Sequence, residues 1–394
     1  MKRIYLDNAA ATPVSEKALK AMTAIAKKFP GNPSAIHKEG REARAVLERA
    51  RAEIAGAISA RPDEIVFTSG ATEANNLAIL GVVGDAFKKG VGRPHVIVSA
   101  IEHPSVLEVA NALKGENVCV DYLPVDSRGL VDQRELRKLI TSETVLVSAM
   151  YANNEIGTIE PIRDIAKEIR HARKVNESEY PYFHTDAAQA GNYLDMNVAR
   201  FGVDMMTLSS GKVYGPRGIG ALFVKRGVKL LAQMYGGEHE GGRRPGTESP
   251  ALARGFATAL LEAQKMSAKE SKRVQKLRDA FAEKILKKVS GTSVNGSLEK
   301  SLPNTVNISF DGIESDALVL YLDSAGIAMS GKSACKSAET GASHVIMALG
   351  KTGEGVARFS LGRDTKREDI MRVANELSRI VPLLRIMHKQ SDRV

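Results

Sequence analysis

Short apolar runs rich in β-branched residues alternate with longer segments of helical periodicity between Glu64 and Val224. The apolar runs predict the strands Glu64–Thr68, Val96–Ser99, Cys119–Leu123, Thr144–Ala149, Tyr182–Thr185, Met205–Leu208 and Gly220–Val224. Helical periodicity is found in the segments Ala74–Phe87, Pro104–Ala112, Asp132–Ile140 and Ile162–Val175. Because strands that alternate with helices usually form a parallel sheet, we expect an α/β fold with a mostly parallel seven-stranded sheet flanked by helices.

The pattern changes near Pro250. The segment Ala251–Val289 predicts a nearly continuous helix, in one or two pieces. After it, Asn304–Phe310 and Gly355–Ser360 have the composition of strands and enclose a predicted helix, Ser315–Ala325. We therefore expect a large domain over residues 16–254 and a smaller α+β domain formed by residues 1–15 together with 255–394.

Composition excludes several classes of protein. With 394 residues, 43% hydrophobic and 26% charged, the chain is neither disordered nor fibrous. Its two cysteines cannot form a disulfide framework or a four-cysteine zinc site, so we expect a reducing compartment and no metal. No apolar run approaches the roughly 20 residues of a membrane helix, which favours a soluble cytoplasmic protein. The net charge of +10 permits proximity to nucleic acid, but no known RNA-binding arrangement of aromatic and basic residues is present, so direct binding is not expected.

Three segments at predicted strand ends carry candidate chemistry. Ser69-Gly70-Ala71-Thr72 joins a strand to a helix and suits a phosphate, although a simple helix cap has the same pattern. Asp186 ends another strand, where its carboxylate either holds the protonated ring nitrogen of a cofactor or caps the next helix. Lys212 lies in a glycine-rich turn, where its amine can reach a carbonyl carbon; the alternative is a surface lysine.

The two cysteines have different surroundings. Cys335 lies among Ser, Gly and Ala residues with Lys332 and Lys336 beside it, and nearby cations favour a reactive thiolate. The alternative is a chance surface cysteine. Cys119 lies within a predicted strand, where we expect it to serve packing alone.

These segments occur together in an order that resembles the cysteine desulfurases, pyridoxal-phosphate enzymes of the class V aminotransferase group with the fold type I architecture. The resemblance runs from Tyr5-Leu6-Asp7-Asn8-Ala9-Ala10 to Arg358-Phe359-Ser360-Leu361-Gly362-Arg363 and so covers nearly the whole chain. Its further markers are Phe67-Thr68-Ser69-Gly70-Ala71-Thr72-Glu73, Glu102-His103, Asn153-Asn154-Glu155-Ile156-Gly157, Asp186-Ala187-Ala188-Gln189, Lys212-Val213-Tyr214-Gly215-Pro216 and Arg244-Pro245-Gly246-Thr247.

The resemblance implies a role for each matching residue in holding the cofactor. Lys212 would bind pyridoxal phosphate covalently and then move a proton. Asp186 would pair with the ring nitrogen, Gln189 with the phenolic oxygen, and His103 would stack on the ring as a further catalytic group. The phosphate would be held by Ala71, Thr72, Ser209, the Gly211 backbone and Thr247 of the partner subunit.

The resemblance also implies the reaction. Asn154 and Arg358 would orient the substrate L-cysteine, with Arg358 binding its carboxylate. Cys335 would attack the substrate sulfur, which leaves alanine and a persulfide. The spacing from Cys335 to Ser343 is similar to that of the branch with the longer loop, which passes sulfur to acceptor proteins such as an iron–sulfur scaffold or a tRNA-thiolating enzyme. The family is homodimeric.

One departure from the family pattern affects the cofactor. The residue before the lysine is commonly His, and here it is Gly211. We expect Ser209, Ser210 and the Gly211 backbone N–H to replace that His at the phosphate, with weaker cofactor retention. Selenocysteine lyase and cysteine sulfinate desulfinase remain alternatives with the same ring chemistry. A non-catalytic scaffold or RNA-associated protein is a more distant one.

Overall fold

The computed structural model describes residues 2–331, 343–353 and 355–391. The strands are β1 (Ile4–Tyr5), β2 (Ile65–Thr68), β3 (His95–Ser99), β4 (Cys119–Leu123), β5 (Thr144–Ser148), β6 (Tyr182–Asp186), β7 (Met205–Ser209), β8 (Gly220–Val224), β9 (Thr292–Val294), β10 (Thr305–Phe310), β11 (Ile327–Ala328) and β12 (Val356–Ser360). The helices are α1 (Glu16–Lys28), α2 (Lys38–Ala57), α3 (Ala71–Lys88), α4 (Pro104–Leu113), α5 (Gln133–Leu139), α6 (Ile162–Val175), α7 (Val198–Phe201), α8 (Pro250–Lys288), α9 (Ser315–Ser324), α10 (His344–Ala348) and α11 (Arg367–Ser391).

The central sheet has seven strands in the order β2-β8-β7-β6-β5-β3-β4. Strand β8 is antiparallel to both of its neighbours, β2 and β7, and the other pairs are parallel. Because β8 is antiparallel to both β2 and β7, β2 runs in the same direction as β7 and the other four parallel strands. The carboxyl ends of β2, β3, β5, β6 and β7 therefore lie at one edge of the sheet, where open α/β sheets bind ligands.

Apolar side chains cover both faces of this sheet. Every residue of β2, β3, β5, β6 and β8 is buried, which is the pattern of strands enclosed between two layers of helices. One core cluster includes Phe183 and Phe256, and the cluster on the opposite face includes Leu77 and Tyr182. The predicted α/β architecture, with its mostly parallel seven-stranded sheet, is the one observed.

A second core lies in the smaller part of the chain. It packs α8, α9 and α11 against the antiparallel sheet β12-β10-β9 and includes Phe281, Phe310 and Phe359. Ile4 and Leu6 belong to this core, and β1 pairs with β11. The 39-residue helix α8 is a single piece that contacts α1 and α2 as well as α11. The predicted domain division at residues 16–254 stays a prediction.

Within the described ranges, none of the helices has both the length and the apolar character needed to cross a membrane.

Candidate active site

A cavity of about 370 Å³ lies at the carboxyl edge of the central sheet. Its lining includes nine of the residues that the sequence singled out: Ala71, Thr72, His103, Asn154, Asp186, Gln189, Ser209, Lys212 and Arg358. A larger cavity of about 670 Å³ lies beside Arg51 and Glu240 and contains none of these side chains. The chemistry-bearing residues therefore converge on the smaller cavity, although they are spread over most of the chain.

The turn between β2 and α3 forms one wall of the cavity. Gly70 precedes the helix and offers no side chain to cap it, so the first helical N–H groups are available to an anion. A Cβ on Gly220, the first residue of β8, would lie 2.7 Å from the carbonyl carbon of Gly70. Only glycine allows β8 to approach the turn so closely. Glu73 accepts a hydrogen bond from the Ser69 N–H at 2.7 Å and pairs with Arg244, which fixes the shape of the turn.

Asp186 ends β6 and is buried at the floor of the cavity. Its Oδ1 accepts a hydrogen bond from the Ala188 N–H at 2.9 Å, and its Oδ2 accepts one from Asn75 Nδ2 at 2.8 Å. These two donors fix the orientation of the carboxylate. A buried carboxylate in this position can pair with a protonated ring nitrogen.

Lys212 reaches the cavity from the single helical turn Ser210–Lys212 that follows β7. Its Nζ donates hydrogen bonds to the backbone carbonyl groups of Ala9 and Ala10, each at 2.7 Å. Gln189 Nε2 donates to the same Ala9 carbonyl at 2.9 Å. The segment after β1 therefore forms a wall of the site and directs the lysine amine.

His103 caps the N-terminus of α4 with its own ring. Its Nδ1 accepts a hydrogen bond from the Ser105 N–H at 3.1 Å and lies 2.8 Å from Ser105 Oγ. Burial lowers the pKa of His103; the charge of Asp186 opposes this shift, and Lys212 and His344 add to it. The ring is thus neutral near neutral pH.

Arg358, on β12, is buried at the opposite wall. Its NH1 donates to the Asn154 carbonyl at 2.9 Å, and its NH2 donates to Asp7 Oδ1 at 2.8 Å and to Ser330 Oγ at 3.0 Å. In the described part of the chain, its buried Nε has no hydrogen-bond acceptor. The guanidinium is therefore held rigidly, and NH1 keeps a second N–H, not used in these bonds, that can bind a carboxylate.

The remaining predicted residues lie elsewhere. Gly211 is half-buried and does not line the cavity; a Cβ there would meet only Arg217 Cγ, at 3.5 Å. The hydroxyl of Ser210 is buried, is absent from the lining and has no partner among the described residues; its predicted part in holding the phosphate stays a prediction. Thr247 is exposed and is not part of this cavity either. Cys335 lies outside the described residues.

Three residues of the site were missed by sequence reasoning: Asp7, Asn75 and Ser105. In the sequence, Asp7 stands within one of the family markers, and Asn75 lies within the predicted helix Ala74–Phe87. The one available signal was polarity, because Asn75 is an amide on an otherwise apolar helix face.

The site fits pyridoxal phosphate. An uncapped helix N-terminus beside a glycine cradle suits the phosphate, and the buried carboxylate of Asp186 suits the ring nitrogen. Lys212 supplies the amine that an aldehyde requires, and the Arg358 guanidinium, which lines the cavity, suits the carboxylate of an amino acid.

The sequence matches the aminotransferase class-V family over residues 4–373. The chain belongs to the class-V aminotransferase family. Cysteine desulfurase IscS from Dictyoglomus turgidum is 42% identical to it over 401 aligned residues, which cover 100% of this chain and 99% of that protein. The structure of a NifS-like protein superimposes with a TM-score of 0.89 at 32% identity and covers 97% of this chain and 100% of that one. The structure of SspA in complex with cysteine superimposes with a TM-score of 0.77 at 34% identity and covers 91% of this chain and 98% of that one.

Membership of the class-V aminotransferase family confirms the resemblance inferred from the ordered motifs and the fold type I architecture. Members of this family depend on pyridoxal phosphate, in agreement with the donor set of the cavity. The roles of the individual residues stay predictions.

Proposed function

We propose that this class-V aminotransferase is a pyridoxal-phosphate-dependent cysteine desulfurase that converts L-cysteine to L-alanine and leaves the sulfur as a persulfide on Cys335. The observation that carries the proposal is the convergence of Lys212, Asp186 and Arg358 on one cavity beside an anion-binding turn. Relatives named cysteine desulfurase that align over the whole chain support the choice of substrate.

The cofactor would be held by residues from three strand ends, those of β2, β6 and β7. When bound, pyridoxal phosphate supplies a carbonyl carbon for amine condensation and a ring that stores an electron pair. The Ala71–Thr72 backbone and Ser209 would hold its phosphate, Asp186 would pair with the ring nitrogen, and Gln189 would pair with the phenolic oxygen. The negative charge of Asp186, whose carboxylate is oriented by two donors, would keep that nitrogen protonated.

Substrate positioning depends on Arg358. Its guanidinium is fixed by Asp7, Ser330 and the Asn154 carbonyl, so its direction is set before the substrate arrives. The substrate carboxylate binds the remaining N–H, which places the substrate Cα between Arg358 and Lys212. Lys212 then removes and returns the proton at that carbon.

Cys335 completes the reaction as a nucleophile. Its thiolate forms a bond to the substrate sulfur while the carbon–sulfur bond breaks, and the electron pair of that bond stays with the carbon. The carbon takes up a proton and becomes the methyl group of alanine. The substrate carbon is reduced and the sulfur pair is oxidised to a persulfide, so no external oxidant is needed.

The test is to supply purified protein with pyridoxal phosphate, L-cysteine and a reductant and to measure alanine and sulfide together. We expect equal amounts of both products, their loss in Cys335→Ala and their retention in Cys119→Ala. Full activity of Cys335→Ala on cysteine would contradict the proposal. Activity confined to selenocysteine or cysteine sulfinate would support the corresponding lyase or desulfinase instead.

We further propose that the enzyme is a homodimer in which Thr247 of the partner subunit completes the phosphate site. Thr247 is exposed in its own chain, while Arg244 holds the same loop beside the phosphate turn. Ile36 is 89% exposed and Tyr235 is 96% exposed, and a second copy of the chain would cover these apolar groups. Mixing Lys212→Ala with Thr247→Ala subunits should restore one complete site per dimer, and no gain in activity on mixing would contradict the shared site.

The acceptor of the sulfur is proposed to be an iron–sulfur scaffold or a tRNA-thiolating enzyme in the cytoplasm. The long spacing between Cys335 and Ser343 and the low number of cysteines support this assignment. Incubating the persulfide form with each purified acceptor, and measuring sulfur on the acceptor, distinguishes the two.

A further inference from the structure

Asn75 and Ser105 connect two groups of the site that lie on different strands. Asn75, on α3, is fully buried; its Nδ2 donates to Asp186 Oδ2 and to Ser105 Oγ, each at 2.8 Å. Ser105, at the start of α4, lies 2.8 Å from His103 Nδ1 through its hydroxyl. A continuous chain of hydrogen bonds therefore runs from Asp186 to His103.

The direction of this chain is fixed by its ends. Asp186 presents an acceptor, so the amide of Asn75 must turn its two N–H groups toward Asp186 and Ser105. The opposite orientation would place Oδ1 of Asn75 against a carboxylate. Because Ser105 Oγ accepts from Asn75, its own proton is directed toward His103. Asn75 Oδ1 is buried and has no hydrogen bond among the described residues, a cost that the two donor bonds offset.

Both neighbours of His103 Nδ1 are donors. The Ser105 N–H donates to it at 3.1 Å, and the Ser105 hydroxyl proton points to the same nitrogen. A proton on Nδ1 would face both of these donors. His103 Nδ1 is therefore an acceptor, and the ring proton lies on Nε2.

We propose that Asn75 and Ser105 are positioning residues that hold His103 as the neutral tautomer protonated on Nε2 and, with the same amide, orient Asp186 toward the cofactor. This proposal rests on the proposed function, because it assigns His103 to the ring of bound pyridoxal phosphate. It makes His103 a donor to the bound groups in the ground state rather than a base.

Among the described residues, charged and titratable groups from three other elements act on the His103 ring. Asp186 on β6 favours the protonated ring, whereas Lys212 after β7 and His344 on α10 disfavour it, and burial disfavours it most. Removing Asn75 deletes none of these charges, but it also releases the Asp186 carboxylate that Asn75 orients. Ser105→Ala keeps the hydrogen bond between Asn75 and Asp186, so a change in His103 that both variants share is attributable to the lost hydrogen bonds between Asn75, Ser105 and His103.

The tautomer can be measured on the full chain without cofactor, by NMR of protein labelled with ¹⁵N-histidine. His103→Gln assigns the resonance of His103 among the eight histidines. In the wild type at neutral pH we expect a protonated Nε2 and a bare Nδ1. In Asn75→Ala the Ser105 hydroxyl is free to turn, so we expect mixed tautomers and an approximately tenfold larger protonation constant for His103.

Asn76→Ala is the matched control, because Asn76 is the next residue of the same helix and its side chain bonds only the Thr72 carbonyl within the described part of the chain. It should leave the tautomer unchanged. Titration of the apo protein with pyridoxal phosphate gives a second readout: Kd should rise about tenfold in Asn75→Ala and stay constant in Asn76→Ala. If Asn75→Ala fails to fold, Ser105→Ala should mix the tautomers and Ser105→Thr, which keeps the hydroxyl, should restore them.

A wild-type His103 protonated on Nδ1, or variants at both Asn75 and Ser105 that keep the wild-type tautomer, would overturn the proposal. The NMR result is read without cofactor or substrate. A failed desulfurase assay would therefore count against the proposed function while the tautomer test stands on its own.

Discussion

Replacing Glu240 by Gln should open the free edge of the central sheet beside the phosphate turn. Strand β2 is the edge strand, and its outward-facing Phe67 N–H donates to Glu240 Oε2 at 2.8 Å. Arg51 binds both oxygens of the same carboxylate, at 2.7 and 2.8 Å, and donates to the Ile65 carbonyl at 2.9 Å. The ion pair therefore takes the place of a neighbouring strand.

The expected cost follows from burial. The side chains of Glu240 and Arg51 are only 1% and 10% exposed, so Glu240→Gln leaves a buried guanidinium with the half-exposed Glu48 as its remaining counter-charge. Breaking such a pair by removing one partner typically costs about 3 to 5 kcal/mol. Glu48→Gln is a matched control because Glu48 binds the same Arg51 but is 50% exposed, and exposed pairs contribute about 1 kcal/mol or less.

Native-state hydrogen–deuterium exchange of the peptide that contains β2 measures the opening directly. A loss of about 3 kcal/mol corresponds to exchange at the Phe67 amide that is about a hundredfold faster. We expect this acceleration in Glu240→Gln and almost none in Glu48→Gln. Equal exchange rates in the two variants would show that the buried pair of Arg51 and Glu240 stabilises β2 no more than the exposed pair of Arg51 and Glu48, and would contradict this prediction.

Three further predictions concern the cradle, the core and the substrate. Gly220→Ala should weaken binding of pyridoxal phosphate more than tenfold in an apo-protein titration, because its Cβ would lie 2.7 Å from the carbonyl carbon of Gly70. Gly211→Ala, the control, should have no effect on this affinity. Equal affinities of the two variants would contradict the role of the close approach between Gly220 and Gly70. Burial raises the pKa of Glu160 to about 8, so the native state keeps a proton that the unfolded state releases above about 4.5, and stability falls as pH rises between these values. Urea unfolding against pH should show a Glu160 contribution of roughly 5 kcal/mol to the loss of stability across that window. Glu160→Gln should make the slope shallower and leave the contribution of Glu102, whose pKa is also raised by burial; a variant with the wild-type slope would contradict the assignment. Arg358→Lys should raise the KM for cysteine about ten- to hundredfold in steady-state kinetics because the planar fork is lost, and an unchanged KM would exclude Arg358 from carboxylate binding.

The sequence was most informative where a strand ends. Apolar runs located all strands of the central sheet to within about one residue, because buried parallel strands are short, continuous and bounded by polar turns. The polar and glycine-rich residues at these strand ends also identified Gly70, Asp186 and Lys212 as candidate site residues. These residues differ from their apolar neighbours, so their chemistry was visible before their positions in space were known.

Contacts made by the backbone and by ordinary-looking side chains could not be predicted. The carbonyl groups of Ala9 and Ala10 bind Lys212 across about two hundred residues of sequence, and any residue has a carbonyl. Asn75 is one polar residue in a predicted helix, and Glu240 is one acid in a glycine-rich loop. Their partners are set by tertiary packing, which a local pattern does not contain.

The sequence pattern of α8 is compatible with one helix or two, and the structure shows one. Pro250 stands at its first turn, and no further proline interrupts it before Lys288. Gly255 lies in the helix where Pro216 approaches, since a Cβ there would be 2.9 Å from the proline ring. The glycine thus serves close packing and does not break the helix.

In the proposed reaction, sulfur from L-cysteine passes to Cys335. The most direct measurement of this transfer is mass spectrometry of the peptide that contains Cys335 after a single turnover with cysteine carrying isotopically labelled sulfur, without reductant. We expect one added labelled sulfur atom on Cys335, with one alanine released per sulfur and no label on Cys119. Alanine formation with an unmodified Cys335, or label confined to Cys119, would contradict it.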